Sequence, residues 1–288
     1  MRINNLFQTT LRSKFSLTGL GAFTGKKVTI NCCPAKEDSG IVFVAKGKNI
    51  KADWRNIRLS KRHFHTTELA TNGSGVMTTE HILSAFYGMG VDNVIIELDS
   101  GSSIPVFDVS ARFFAQGISK VGLRNLRAKR RFFKVQKPLF FQQKDSFIIL
   151  IPGDEFRVHA IIDFPNIIGI QRFSVNLENS EKYLKEISFA RSFFSKPIEK
   201  EKWENYRKEF KILSDKYEDS NIIVYDKDRF ISKLRCKNEP VRHKILDFLG
   251  DFALSGKRIK GEIILYKPSH ALNREVAKEI GMTKEEGE

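Results

Sequence analysis

Cysteine is nearly absent from this chain, and the three present, Cys32, Cys33 and Cys236, cannot build a disulfide framework. Cys32 and Cys33 are adjacent, so on a strand they point to opposite sides. No CxxC pair exists, which argues against a thiolate zinc site, and reduced thiols are expected. Long apolar runs are also missing: none approaches the roughly 20 residues of a membrane-spanning helix. The opening MRINNLFQTTLRSKF has no sustained apolar core and no small-residue cleavage site, so no secretory signal is expected. These absences point to a soluble, cytoplasmic protein. Histidine is scarce too, with six in 288 residues.

Basic charge, by contrast, is abundant. The formal net charge of +15 favours an anionic partner: nucleic acid, a nucleotide-bearing substrate or an acidic membrane surface. A solvated lysine-rich surface is the plainer account. No nucleic-acid module is recognisable around the basic stretch RNLRAKRRFFK, so nucleic acid is not expected as a partner.

The hydrophobic pattern gives an α+β reading. Lys27–Cys33 and Gly40–Ala45 have strand composition, and Asn93–Leu98 follows as another strand. Between them, Thr78 and Thr79 precede EHILSAFYGMG, a helix with Ile82, Leu83, Ala85 and Phe86 on one face, a threonine N-cap and terminating glycines. Arg124–Lys134 reads as the connection between two domains, 1–125 and 126–288. The second half repeats the order, with strands at Phe147–Ile151, Arg157–Asp163 and Gly261–Tyr266. Lys196–Asp219 is dense in alternating charge, with Trp203, Tyr206, Phe210 and Leu213 at helical spacing; it reads as an exposed amphipathic helix.

Three short segments can carry chemistry, and each has an ordinary alternative. In PVRHKILDFLGD, His243 and Asp247 lie four apart on one helix face with Asp251 a turn further on; they could share a divalent cation, or form a surface pair. Glu80-His81 opens the first-half helix; Glu80 could be a base, or an acid placed to suit the helix dipole. His270, in KPSHALN, sits in a strand-to-helix turn, a common place for side chains that reach into clefts and equally for incidental ones. Together, two histidines and a carboxylate from separate segments make a three-ligand metal site with an open position. Glu80 beside a ligand supplies a general base, and His270 a general acid.

On these residues the chain resembles the UDP-3-O-acyl-N-acetylglucosamine deacetylase (LpxC) family, the zinc enzymes of early lipid A synthesis in Gram-negative bacteria. The matching stretches are GLGAFTGKKVTI (19–30), TTEHILSAFYGMGVDN (78–93), IPVFDVSA (104–111), IDFP (162–165), ISFARSF (187–193), NEPVRHKILDFLGDFALSG (238–256) and SHALN (269–273). The resemblance implies two similar domains, each a two-layer β-α-α-β sandwich, with the active site between them. It implies that His81, His243 and Asp247 ligate Zn2+, although such a ligand set also accepts ferrous iron or cobalt. Glu80 would take the proton from the attacking water, and His270, oriented by Asp251, would protonate the leaving amine. Ser192 stands where the family carries a threonine that stabilises the oxyanion. Lys244 and Lys267 match positions that contact the nucleotide diphosphate, and Phe193 joins them as a substrate-binding position. The implied partner is a UDP-linked, acylated N-acetylglucosamine, with transient contact at the inner face of the cytoplasmic membrane.

The chain departs from the family pattern at several further positions. Phe23 replaces a histidine, and Val109 occupies a glycine position. The charged, glycine-free segment 196–219 replaces a glycine-rich stretch beside the acyl passage. A catalytically quiet relative that binds nucleotide-sugar or anionic lipid is the competing expectation.

Overall fold

The computed structural model describes residues 6–22, 24–59, 66–71, 73–196 and 221–283, with 199, 201, 204, 205 and 208. Phe23 and nearly all of the charged segment 196–219, with its expected helix, lie outside the described residues. The chain begins with β1 (Phe7–Leu11), β2 (Phe15–Gly21), β3 (Lys27–Pro34), β4 (Ile41–Ala45) and β5 (Lys48–Lys51). Three short strands follow, β6 (Ile57–Arg58), β7 (Glu68–Thr71) and β8 (Ser74–Val76), then helix α1 (Glu80–Met89). Next come β9 (Val94–Leu98), β10 (Pro105–Val106), α2 (Arg112–Val121), β11 (Leu123–Lys129) and β12 (Phe132–Lys134). Strands β13 (Leu139–Gln143), β14 (Ser146–Ile151), β15 (Phe156–Phe164) and β16 (Gly169–Asn176) precede α3 (Ser180–Glu186). The chain then forms β17 (Phe193–Ser195), β18 (Ile223–Tyr225), α4 (Glu239–Phe252), β19 (Arg258–Tyr266) and α5 (His270–Met282).

Two six-stranded sheets carry this mixed α+β fold. The first has the order β10-β2-β3-β9-β4-β5; the second runs β13-β14-β19-β15-β16, with β12 added alongside β19. Helix α2 packs on β2 and against α1, α1 packs on α4, α4 covers β15 and β16, and α5 lies on β13 and β14. The helices therefore stand between the sheets. Alternation along β3 buries Cys32 and leaves Cys33 half-buried, and all three cysteines are free.

Two expectations for helix α1 change. Helix α1 buries all ten of its residues, Glu80 and His81 included, instead of only one apolar face. A helix buried on every side must satisfy its polar groups internally. Thr79 holds the N-cap position, but its side chain does not cap; its hydroxyl donates to the Thr67 carbonyl at 2.9 Å. The basic stretch 124–134, read as a connection, is largely strand. It forms most of β11, paired antiparallel with β1, and then β12, paired parallel with β19, so the expected division at 125/126 falls inside a strand.

The two ends of α1 are fixed by different means. At its C-terminus, Arg130 and Arg258 converge on Asp92 at 2.7 and 3.2 Å. The same guanidiniums donate to the helix-end carbonyls of Gly90, Tyr87 and Val91. Cations at this end also oppose the helix dipole. At its N-terminus, α1 crosses α4 at Gly250, where a Cβ would lie 2.0 Å from the Glu80 carbonyl oxygen. Only glycine allows the two backbones this close. Gly250→Ala should cost about 1–3 kcal/mol by overpacking, and weaken divalent-metal binding as α1 is pushed off α4; urea unfolding and metal titration of the variant check both.

Candidate active site

Helix α4 turns His243, Asp247 and Asp251 to one side, as four-residue spacing requires. The close crossing at Gly250 brings His81 against them, and the His81 and His243 rings meet edge to face with centroids 5.3 Å apart. One ligand atom from each of His81, His243 and Asp247 lies within 4.8 Å of the others, and all three residues are buried. Asp247 Oδ1 is 3.2 Å from His243 Nε2 and 3.9 Å from His81 Nε2.

The hydrogen bonds around these atoms show what the group is suited to hold. His243 Nδ1 is 3.0 Å from the Ala190 carbonyl, which can only accept, so Nδ1 carries a proton. In the neutral ring the lone pair then sits on Nε2 and faces Asp247 Oδ1. Oδ1 itself is buried and accepts no hydrogen bond. Two lone pairs this close in a dry site repel unless a cation stands between them. A carbonyl orienting the far nitrogen is also the usual support of a metal-ligating histidine. Burial and the nearby His243 push His81 down to about 3, which keeps it neutral and available as a ligand. These residues fit a divalent ion.

The carboxylates beside the ligands are tied together by two threonines. Glu80 accepts from Thr66 Oγ1 at 3.0 Å and from the Thr67 backbone N–H at 2.9 Å. Thr67 Oγ1 donates to Asp251 Oδ1 at 2.5 Å, and Asp251 Oδ2 accepts from His270 Nδ1 at 2.8 Å and Asn273 Nδ2 at 2.9 Å. His270 is the first residue of α5, capped by Ser269, and its Nε2 looks toward Asp247 Oδ2 at 4.0 Å. An unbroken path thus runs from Glu80 through Thr67 and Asp251 to His270.

A sequence profile described as UDP-3-O-acyl N-acetylglycosamine deacetylase (LpxC) matches residues 8–282. The chain is 36% identical to the UDP-3-O-acyl-N-acetylglucosamine deacetylase of Syntrophus aciditrophicus over 282 residues, covering 95% of this chain and 86% of the relative. It is likewise 36% identical to that of Thermodesulfovibrio yellowstonii, covering 92% and 88%, and 35% identical to that of Photobacterium profundum, covering 95% and 90%. The chain belongs to this deacetylase family.

Electrostatics divide the remaining family positions. Burial raises Glu80 above the ordinary carboxylate range, against the pull of His270 and the Thr67 N–H. Asp247 behaves oppositely: burial opposes its charge, yet His243, Lys244 and His270 hold it well below that range. For His270, burial disfavours the cation, but Asp251 and Asp247 outweigh it and raise the imidazole to about 9. Both Glu80 and His270 are thus raised, the carboxyl by burial and the imidazole by its carboxylate neighbours.

The other expected site residues are placed as follows. Ser192 donates its backbone N–H to the Val109 carbonyl and follows Arg191, whose buried pairing with Glu239 fixes the segment that offers Ala190 to His243. Val109, at the family's glycine position, has φ +55, which a β-branched residue adopts only with strain. Phe193 lies edge-on to His243 with centroids 6.3 Å apart. Lys244 is not directed at open space: its ammonium is 2.9 Å from Asp247 Oδ2. Lys267 is drawn to Asp145 at 2.6 Å and Asp163 at 4.0 Å.

Thr66, Thr67 and Asn273 had no role in the sequence reading, although Asn273 lay inside a matched motif. Thr67→Val would keep the backbone bond to Glu80 and lose the hydroxyl bond to Asp251. Turnover should fall about ten- to a hundredfold with KM little changed, since one hydrogen bond to a charged group is worth about 1.5–3 kcal/mol. Thr67→Ser should recover most of the loss; steady-state kinetics of both variants test this.

Proposed function

We propose that this chain removes the N-acetyl group from UDP-3-O-acyl-N-acetylglucosamine, a step of lipid A biosynthesis, using one zinc ion held by His81, His243 and Asp247. The observation that carries the proposal is the buried set of three ligand residues with a separately anchored base and acid beside it. Ferrous iron or cobalt would suit the same donors. When bound, the ion polarises the amide carbonyl and lowers the pKa of water.

The chain's own residues supply the proton transfers. Glu80, fixed by Thr66 and Thr67, takes a proton from the attacking water. His270 carries a proton at neutral pH and presents Nε2 to the site while Asp251 holds Nδ1. It offsets the developing oxyanion and then protonates the nitrogen as the C–N bond breaks, leaving acetate and a free amine. Ser192 contributes its hydroxyl to the oxyanion, Phe193 borders the sugar, and Lys244 and Lys267 exchange their carboxylate partners for the diphosphate. An acylated substrate gives reason for a cytoplasmic enzyme to touch the inner face of the membrane. The division into units 1–125 and 126–288 belongs to the same reading.

The direct test is mass spectrometry of the UDP substrate after incubation with zinc-loaded protein, which should show loss of one acetyl group. An untouched substrate, while a relative from the family turns it over in parallel, contradicts the proposal. Glu80→Gln should lower kcat by about 10²–10⁴-fold with metal content unchanged. The pH profile has two limbs. Activity needs Glu80 ionised, so it falls as pH drops through a value above the ordinary carboxylate range. It also needs His270 protonated, so it falls as pH rises through about 9. His270→Gln should be weakly active and lack the alkaline limb.

A further inference from the structure

Strands with one face on a core and the other in water normally alternate apolar with polar residues. The second sheet does not keep this rule. In β14, Ile148 and Leu150 point inward, yet the outward residues Phe147 and Ile149 are also apolar. In β19, Ile263 and Leu265 are buried while Ile264 and Tyr266 face out, and in β15 the outward Ile161 lies between buried Ala160 and Ile162. Strand pairing aligns these residues into one block. Phe140 is opposite Ile149, and Ile149 opposite Ile264. Phe147 is opposite Tyr266, and Tyr266 opposite Ile161. Phe140 is 59% exposed, Phe147 stacks on Tyr266 at 4.9 Å, and Ile170 at the sheet edge is 65% exposed.

Lysines and arginines outnumber carboxylates around the block. Most of its carboxylates lie beside basic side chains: Asp145 and Asp163 share Lys267 at 2.6 and 4.0 Å, Glu155 is 2.6 Å from Arg157 and Asp154 3.9 Å from Lys134, while Glu262 is 3.1 Å from His159 Nε2. Lys137, Lys144 and Arg172 are exposed in addition to these pairs. A second copy of a chain carrying +15 would bring like charge against like charge. An acidic lipid surface would complement it, with aromatic and aliphatic side chains entering the headgroup layer inside a basic rim.

We propose that the outer face of the second sheet, centred on Phe140, Ile149, Ile264, Phe147, Tyr266 and Ile161, is the surface by which this protein docks on anionic membranes. The deacetylase reading supplies only a use for such docking. Vesicle binding is measured without turnover, so failure here leaves that reading standing, and failure of that reading leaves the binding result intact.

The experiment is co-sedimentation of the full chain with phosphatidylcholine vesicles, with and without about one-third phosphatidylglycerol, at low and raised salt. The wild-type protein should sediment with the anionic vesicles, and less as salt rises. The double variant Lys144→Gln/Arg172→Gln should bind at least about fivefold more weakly, since one basic residue near such a surface is worth about that factor, and Phe140→Ser should bind more weakly because it removes apolar area that enters the headgroup layer. An unchanged thermal midpoint for Phe140→Ser shows that the loss is not misfolding, and the charge variant tests the face without touching its apolar block. No sedimentation with anionic vesicles, or equal sedimentation of both variants, overturns the proposal. Self-association in analytical ultracentrifugation that Phe140→Ser abolishes overturns it too, in favour of a second copy.

Discussion

A carboxylate oxygen and imidazole nitrogens cannot share a dry pocket unless positive charge stands among them. That constraint organises this molecule. Asp247 Oδ1 is buried without a hydrogen bond, 3.2 Å from a histidine nitrogen whose ring partner is committed to a backbone carbonyl. Lys244 and the His270 imidazolium offset part of the charge from the other side of the carboxylate. A divalent ion supplies the rest and uses the lone pairs that otherwise oppose one another.

The fold is arranged to hold that pocket together. Gly250 lets α1 and α4 touch backbone to backbone, which sets Glu80 and His81 against residues more than 150 positions later. At the other end of α1, Asp92 and two buried guanidiniums lock its last carbonyls to β19 and to the segment before β12. Removing one member of such a buried cluster costs about 3–5 kcal/mol. The helix that carries a ligand and the base is therefore pinned at both ends. Strain is tolerated nearby: Val109 holds φ +55 while its carbonyl accepts from Ser192, at a cost of about 1–2 kcal/mol for an L-residue.

Much of this was visible in the sequence because it depends on short spacing. His243 and Asp247 share a face through helical geometry alone, and the strands at β3, β4, β9 and β14 announce themselves through β-branched runs. The family resemblance joined His81 and His270 to them and marked Val109 as a glycine position, where the backbone is indeed left-handed. What remained hidden depends on contacts between distant residues. Thr66 and Thr67 look like ordinary loop residues until the Gly250 crossing buries them between Glu80 and Asp251. Arg130, in a stretch that reads as a charged connection, is a buried clamp, and its neighbours form strand β11 because they pair with β1. The outward apolar residues of β14 and β19 read as core by composition; only pairing shows which face each one takes.

The central claim is that His81, His243 and Asp247 share one ion. Anomalous diffraction at the zinc edge, from crystals grown with the metal, tests it most directly. The account predicts a single strong peak about 2.0–2.2 Å from one nitrogen of each histidine and one oxygen of Asp247. A peak elsewhere, or no peak with Lys244 and His243 still closed on Asp247, would contradict it.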